Sequence, residues 1–308
     1  IPQYYIKMSS QIINSLETYH FENKISSSKY PVYKAIDTKT NKEVAVKLFP
    51  RMGHTSLNFQ RETGIFSQLK HKNIISMNEC QDSAPTHAIE ASFENASFIS
   101  LEYAAHGDLF EIVANGGPTG EKLARTLFHQ LFNGIKHMHC QNIAHLDLKI
   151  ENLLLTADLS LKVTDFDLSQ KMDDDKIEGR GTPGYRGPEV KNGSCKLFDA
   201  ADVYSMAVIL FVFMTGIPPY SEVDKGCGPE FDPFYKLMRK NANKFWDIHA
   251  KHQGRSDFFS DDFKNLVNWM LSEEARERPS LQEIENHPWF KGETFSDEEY
   301  QAEMTAYL

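Results

Sequence analysis

Residues 145–155, HLDLKIENLLL, and residues 161–169, LKVTDFDLS, decide the fold. The first stretch sets an imidazole, a carboxylate, an amine and an amide close together, as His145, Asp147, Lys149 and Asn152. A second carboxylate, Asp165, follows 18 residues after Asp147, at the end of a short apolar strand. Phosphoryl transfer asks a protein for little covalent work. It asks for a carboxylate near the attacking hydroxyl, a cation on the moving phosphoryl group and oxygen ligands for magnesium. Asp147, Lys149 and the pair Asn152 and Asp165 supply these in turn. Any one of the four alone reads more simply as a loop polar that caps a turn. The set at this spacing carries the chemistry.

Bulk properties narrow the classes. The chain has 308 residues, enough for two lobes and a substantial core. Its composition, 41% apolar and 25% charged, is that of an ordinary globular protein. A net charge of −10 argues against nucleic acid as the main partner, because neutralising phosphates needs a surplus of Lys and Arg. Cys80, Cys140, Cys195 and Cys227 form no CxxC pair, so neither a zinc site nor a disulfide framework is indicated. An intracellular, cytoplasmic setting is the expectation. The opening IPQYYIKMSSQIINSLETYH is too polar for a signal peptide. The apolar run SMAVILFVFMTGIPP (205–219) has a core of about 12 residues, against roughly 20 for a bilayer span, so it reads as a buried helix. No membrane segment is expected.

Strand candidates fall at 19–25, 31–36, 43–49, 74–80 and 97–103. Between the third and fourth, Leu57, Ile65, Phe66 and Leu69 partly follow a helical period that Phe59 and Gly64 weaken. Over 120–140, Leu123, Leu127, Leu131, Ile135 and Met138 make one helical stripe, and further helices are expected at 202–215, 232–241, 260–271 and 280–286. Strands first and helices afterwards predict an α+β chain of two lobes, with the polar 104–107 as hinge. The second and third strands read as a hairpin across DTKTNK (37–42). Ser26, Ser27 and Ser28 stand just before it, where a phosphate-holding loop belongs.

These residues resemble the eukaryotic-type protein serine/threonine kinases, over about 270 residues from near Tyr19 to Phe290. VAVK (44–47) resembles the family's third strand, which implies that Lys47 holds the α- and β-phosphates of ATP. Glu62 falls where the family's helix glutamate pairs with that lysine. DFD (165–167) resembles DFG, and GTPGYRGPE (181–189) resembles GTxxYxAPE. They imply an activation segment carrying Phe166, Asp167, Thr182 and Glu189, with Arg278 of ERPSLQEIENHPWF as the partner of Glu189. The apolar run becomes the central helix of the large lobe. By the same likeness Asp147, Lys149 and Asn152 are catalytic, and Asn152 and Asp165 hold Mg²⁺. Ile25, Ser26, Ser27 and Ser28 form the ATP lid, and Val32, Ala45 and Leu154 sandwich the purine. Leu101 guards the back of the adenine pocket, Glu102 and Ala104 offer backbone groups to its edge, and Asp108 lies near the ribose or a basic substrate side chain. Glu151 joins the ATP-binding set, and its acidity with that of Asp108 hints at basic peptides. Phe66, Met77, His145 and Phe166 are expected to stack through the lobes.

The resemblance divides the chain into an extension (1–18), a small nucleotide lobe of five antiparallel strands and one main helix (19–104), a large, mainly helical catalytic and substrate lobe (105–290) and an acidic tail (291–308). HPWF, GDLFE and KMDDDKI resemble the calcium/calmodulin-dependent and calcium-dependent kinase group.

Three departures stand out. The family's G-x-G-x-x-G-x-V becomes Ile25-Ser26-Ser27-Ser28-Lys29-Tyr30-Pro31-Val32, without glycine's access to positive φ and, at Pro31, without an N–H. Leu146 replaces the arginine that meets an activation-segment phosphate, and residues 170–181 contain no Ser, Thr or Tyr. A kinase needing no phosphorylation there is the expectation; Asp173, Asp174 and Asp175 either supply constitutive charge or form a solvated loop. Asp167 replaces the glycine of DFG and either supports Mg²⁺ indirectly or raises the cost of binding a polyanion. The leading reading is an active ATP- and Mg²⁺-dependent protein kinase acting on protein substrates. The alternative is a pseudokinase or scaffold. Residues 221–260, rich in aromatics, are either a regulatory partner's face or an elaborated part of the large lobe.

Overall fold

Alternation builds the first sheet. In β1 (Tyr19–Ser26) Tyr19 and Phe21 are buried while His20 and Glu22 are exposed, and in β2 (Val32–Asp37) Tyr33 and Ala35 are buried. β3 (Lys42–Pro50) is buried continuously from Val44 to Phe49, the mark of a central strand covered on both faces. The computed structural model describes residues 18–26, 30–50, 55–85, 95–174, 181–191, 197–221 and 232–308. After β3 come α1 (Thr55–Phe66), β4 (Met77–Pro85) and β5 (Asn95–Glu102), and the antiparallel sheet runs β1-β2-β3-β5-β4. Tyr19, Phe21, Tyr33, Val44, Val46, Leu48 and Phe98 fill one side. On the other, Phe59 of α1 meets Phe49 edge-on at 5.4 Å.

Two compact units result. The first ends at Lys70 and resumes over Ile75–Ala105; the second takes His71–Ile74 and His106–Leu308. Its elements are α2 (Leu109–Gly116), α3 (Glu121–Cys140), β6 (Ile143–Ala144), β7 (Leu153–Leu155), β8 (Leu161–Val163), β9 (Gln170–Lys171), α4 (Pro188–Lys191), α5 (Phe198–Thr215), α6 (Pro233–Lys240), α7 (Ala242–His252), α8 (Asp261–Met270), α9 (Leu281–Asn286) and α10 (Asp297–Tyr307). The α+β, bilobal kinase fold expected from the order of strands and helices is the fold found.

α5 is apolar on every face and buried almost throughout, so it serves as the core axis of this unit. Among the described residues it is the one helix long and apolar enough to cross a membrane, and protein covers it instead. It ends at Gly216, whose left-handed φ of 75° suits glycine. α3 packs along α5 and β8, and Gly134 lets the Asn73 turn approach closely, since a Cβ there would lie 2.9 Å from the Asn73 carbonyl oxygen.

Several local expectations shift. The strand expected at 74–80 starts at Met77, because Asn73 and Ile74 are bound to β8 through Val163 N–H to Asn73 O (2.9 Å) and an isolated bridge. The single helix expected at 232–241 is followed at once by α7. Asn241 closes α6 and then caps α7 by accepting from Lys244 N at 3.1 Å. Residues 222–231 lie outside the described residues, and the aromatics of the rest are largely core: Phe245, Trp246 and Phe259 pack on Phe211. The acidic end forms α10 with a Ser296/Glu299 capping box, anchored by buried Tyr300 and Met304.

Candidate active site

In the first unit β3 presents Lys47, and α1 presents Glu62. Both are buried, and Lys47 Nζ donates to Glu62 Oε1 and Oε2 at 2.7 and 2.9 Å. A buried lysine survives only with its charge matched this way. The ammonium also faces two rings, 5.7 Å from the Tyr30 centroid and 5.5 Å from the Phe49 centroid. Ser26 ends β1 opposite Val32, and the register slips between Lys24 and Ser26, leaving Ile25 unpaired and exposed. Ser27, Ser28 and Lys29 lie outside the described residues. Ala45 and Leu101 are cross-strand partners, both buried. Glu102 donates its N–H to Ser76 O at 2.8 Å. Ala104 is buried.

The second unit holds the loop that carries Asp147, Lys149 and Asn152, between β6 and β7. Asp202 of α5, wholly buried, organises it by accepting from His145 N and Leu146 N, each at 2.8 Å, and by bonding His139 Nε2 at 2.8 Å. These bonds hold Leu146 at a φ of +64°, a region costly for a leucine. Asp147 then meets three groups. Thr182 Oγ1 donates to its Oδ1 at 2.7 Å, Lys149 Nζ lies 3.3 Å from Oδ2, and Asn152 Nδ2 donates to its carbonyl at 2.9 Å. Lys149 Nζ also donates to Thr182 Oγ1 at 3.2 Å, closing a carboxylate–amine–hydroxyl triangle.

Asn152 is linked to the next carboxylate by its carbonyl, which accepts from Thr164 N at 3.0 Å, one residue before Asp165 (φ +66°). The donors here are hard oxygens, the kind that suits Mg²⁺. No cluster of three or more His, Cys, Asp or Glu side chains suited to a metal occurs among the described residues. Mg²⁺ held with substrate phosphates needs only one or two protein ligands, such as the Asp165 carboxylate and the Asn152 amide. Phe166 is fully buried, its ring 5.6 Å from that of His145; Asp167 is half-buried.

Asp108 caps α2, accepting from Glu111 N at 3.0 Å, and bridges to Leu154 of β7. Glu151 keeps Oε2 buried with no hydrogen-bond partner among the described residues. The Tyr185 hydroxyl is hydrogen-bonded to that carboxylate; burial first, and then the charge of Glu151, push its pKa up. Further along, Arg278 clamps Glu189 with two bonds of 2.6 Å, both groups largely shielded from solvent. Residues 175–180, including Asp175, lie outside the described residues.

Sequence reasoning passed over Asp202, His139 and the contacts of Tyr30. An aspartate opening an otherwise apolar run, as in AADVYSMAVILF (200–211), was the available signal for the first. The other two carry none, since a histidine in an amphipathic helix and a tyrosine in a polar loop look ordinary.

A family profile described as the protein kinase domain matches residues 19–290. "CBL-interacting protein kinase 9" of Oryza sativa subsp. japonica is 32% identical over 268 residues, covering 83% of this chain and 53% of that protein. "Serine/threonine-protein kinase SAPK1", also from Oryza sativa subsp. japonica, is 33% identical over 284 residues, covering 89% and 76%. "Testis-specific serine/threonine-protein kinase 3" of Mus musculus is 31% identical over 266 residues, covering 84% and 90%. The chain spans about half the length of the CBL-interacting relatives it matches.

Proposed function

This chain belongs to the protein kinase domain family, of the serine/threonine type, and we propose that it phosphorylates serine and threonine hydroxyls of protein substrates. Residues 19–104 are the nucleotide lobe in this reading, and residues 105–290 the catalytic and substrate lobe. The observation that carries the activity is the Asp147–Lys149–Thr182 triangle. A hydroxyl already sits 2.7 Å from the Asp147 carboxylate, with the Lys149 ammonium 3.2 Å from the same oxygen. A substrate hydroxyl placed likewise would be oriented for attack and would give its proton to Asp147, while Lys149 offsets charge on the moving group. Mg²⁺–ATP supplies the phosphoryl group and neutralises part of its charge. Asn152 and Asp165 are the residues that would hold the ion. Lys47, fixed by Glu62, would hold the α- and β-phosphates. The pseudokinase alternative, raised by the missing glycines, has no observation in its favour.

Two finer readings follow. Glu151, a largely buried carboxylate bonded by the Tyr185 hydroxyl and four residues after Asp147, suits a basic side chain near the phosphorylated hydroxyl. A regulatory partner on 221–260 is proposed from Phe234, 39% exposed while Tyr235, Phe245, Trp246 and Phe259 are buried, and from relatives whose name states that they interact with CBL.

The test is transfer of label from ATP to a mixed peptide library in the presence of Mg²⁺. The wild-type chain is expected to label Ser/Thr peptides, and Lys47→Ala and Asp165→Asn to lose at least about 99% of that rate. Transfer surviving in both variants would overturn the assignment.

A further inference from the structure

Where the family's phosphate-holding loop has its third glycine, this chain has Tyr30. A glycine there leaves the backbone free, whereas a tyrosine removes that freedom and adds a ring. Although it borders a loop, Tyr30 is only 3% exposed. Its ring packs on Phe49 at 4.5 Å, and its hydroxyl accepts from Asn58 Nδ2 of α1 at 2.7 Å. Pro31, the next residue, is fastened to β3 directly after the lysine, its carbonyl accepting from Leu48 N at 3.0 Å. Asn58 and Glu62 are four residues apart and so share one face of α1. One helix face therefore meets the Tyr30 hydroxyl and the Lys47 ammonium on adjacent turns.

We propose that Tyr30 is a positioning residue that holds the Lys47–Glu62 pair from the lid side, a role that rests on reading Lys47 as the phosphate-binding lysine. The lysine carries its charge out of water. Two aromatic faces complete what the Glu62 carboxylate begins, and the Asn58 bond ties the first half of α1 to the same ring. The pair is thus held by groups of the chain itself. The glycine-free lid has exchanged backbone freedom for a side-chain constraint on the catalytic lysine.

The test reads Lys47 directly in the full chain. An amine-reactive N-hydroxysuccinimide ester acylates only neutral, accessible amines, and peptide mass spectrometry follows Lys47 with the surface Lys264 as reference. Tyr30→Leu keeps the apolar volume but loses the ring face and the hydroxyl; it is expected to raise the Lys47 rate about tenfold. Tyr30→Phe should stay within about threefold of wild type, with Lys264 unchanged throughout. Equal Lys47 rates in wild type and Tyr30→Leu would overturn the proposal, because leucine replaces a ring that merely fills the core. Should Tyr30→Leu fail to fold, Asn58→Ala gives the second reading: a rate about threefold above wild type supports the tie to α1, and an unchanged rate overturns it. In the kinase assay KM for ATP should rise with the labelling rate while KM for peptide stays put. Acylation needs no phosphoryl transfer, so an inactive chain with ring-dependent labelling would sink the kinase assignment and leave the role of Tyr30 standing.

Discussion

Glu151 shows how much a single buried oxygen can say. It stands four residues after Asp147, with Oε2 buried and the Tyr185 hydroxyl bonded to the same carboxylate. One hydroxyl does not fill a carboxylate's acceptor capacity, so a cationic donor from a substrate would add to its bonds. Glu151→Gln keeps the shape and removes the charge. Peptides with an arginine near the target hydroxyl should then lose about tenfold in kcat/KM, mostly through KM, while peptides lacking basic residues change little. Equal losses for both peptide sets would remove Glu151 from substrate recognition. At this scale the sequence was most legible where chemistry demands particular groups at short spacing, as in Asp147, Lys149 and Asn152. It was least legible where the role lies in a tertiary contact. Nothing near Tyr30 in the chain announces Asn58, and nothing near His139 announces Asp202.

Among elements, the activation segment is the informative one. Leu146 stands where the family has a phosphate-binding arginine, and it is buried with Ala144, Val190, Phe198 and Ala201, with Met172 packed against the cluster. Met172 and Val190 lie on either side of residues 175–180, so both flanks of the segment reach one apolar cluster. Its first flank is also fixed by backbone: β9 pairs with β6, and Met172 N donates to Asn142 O at 2.9 Å. Apolar burial and strand pairing here take the place of an arginine–phosphate contact, in keeping with the absence of Ser, Thr and Tyr from 170–181. Phosphatase treatment should therefore leave the activity of purified enzyme unchanged. Leu146→Ala should destabilise the second unit by about 3 kcal/mol and lower kcat with little effect on KM for ATP. Leu146→Arg should be worse, since it sets an unpaired charge into the cluster. Full activity in Leu146→Arg after phosphatase treatment would refute this account. The sequence displayed the missing arginine and the missing hydroxyls, but the apolar replacement was hidden because its members are scattered from residue 144 to 201.

For the whole molecule, the order of strands and then helices was enough to read two units, because strand alternation dominates the first and helical periodicity the second. The helix expected at 232–241 is α6, and the element that went unread is α7, which Asn241 caps directly after it. The interior around α5 also sets an acid limit. His249 of α7 is buried, its ring 4.5 Å from that of Phe245 and 4.9 Å from that of Phe211. Burial, only partly opposed by a bond to the Pro219 backbone, holds its pKa down to about 4, against 6.5 for a free imidazole. Well above pH 6.5 the imidazole is neutral in both folded and unfolded chains and contributes no pH dependence. Between pH 6.5 and 4 the unfolded chain takes up a proton that the folded chain refuses, so stability falls as pH falls through this window. By pH 5 the loss should be about 2 kcal/mol. His249→Leu removes the titrating group, so its stability difference between pH 7 and pH 5 should be about 2 kcal/mol smaller than that of wild type. Urea unfolding followed by tryptophan fluorescence suits the comparison, because Trp246, Trp269 and Trp289 all belong to the second unit. Identical pH dependence in the two proteins would show that His249 does not govern the acid limit.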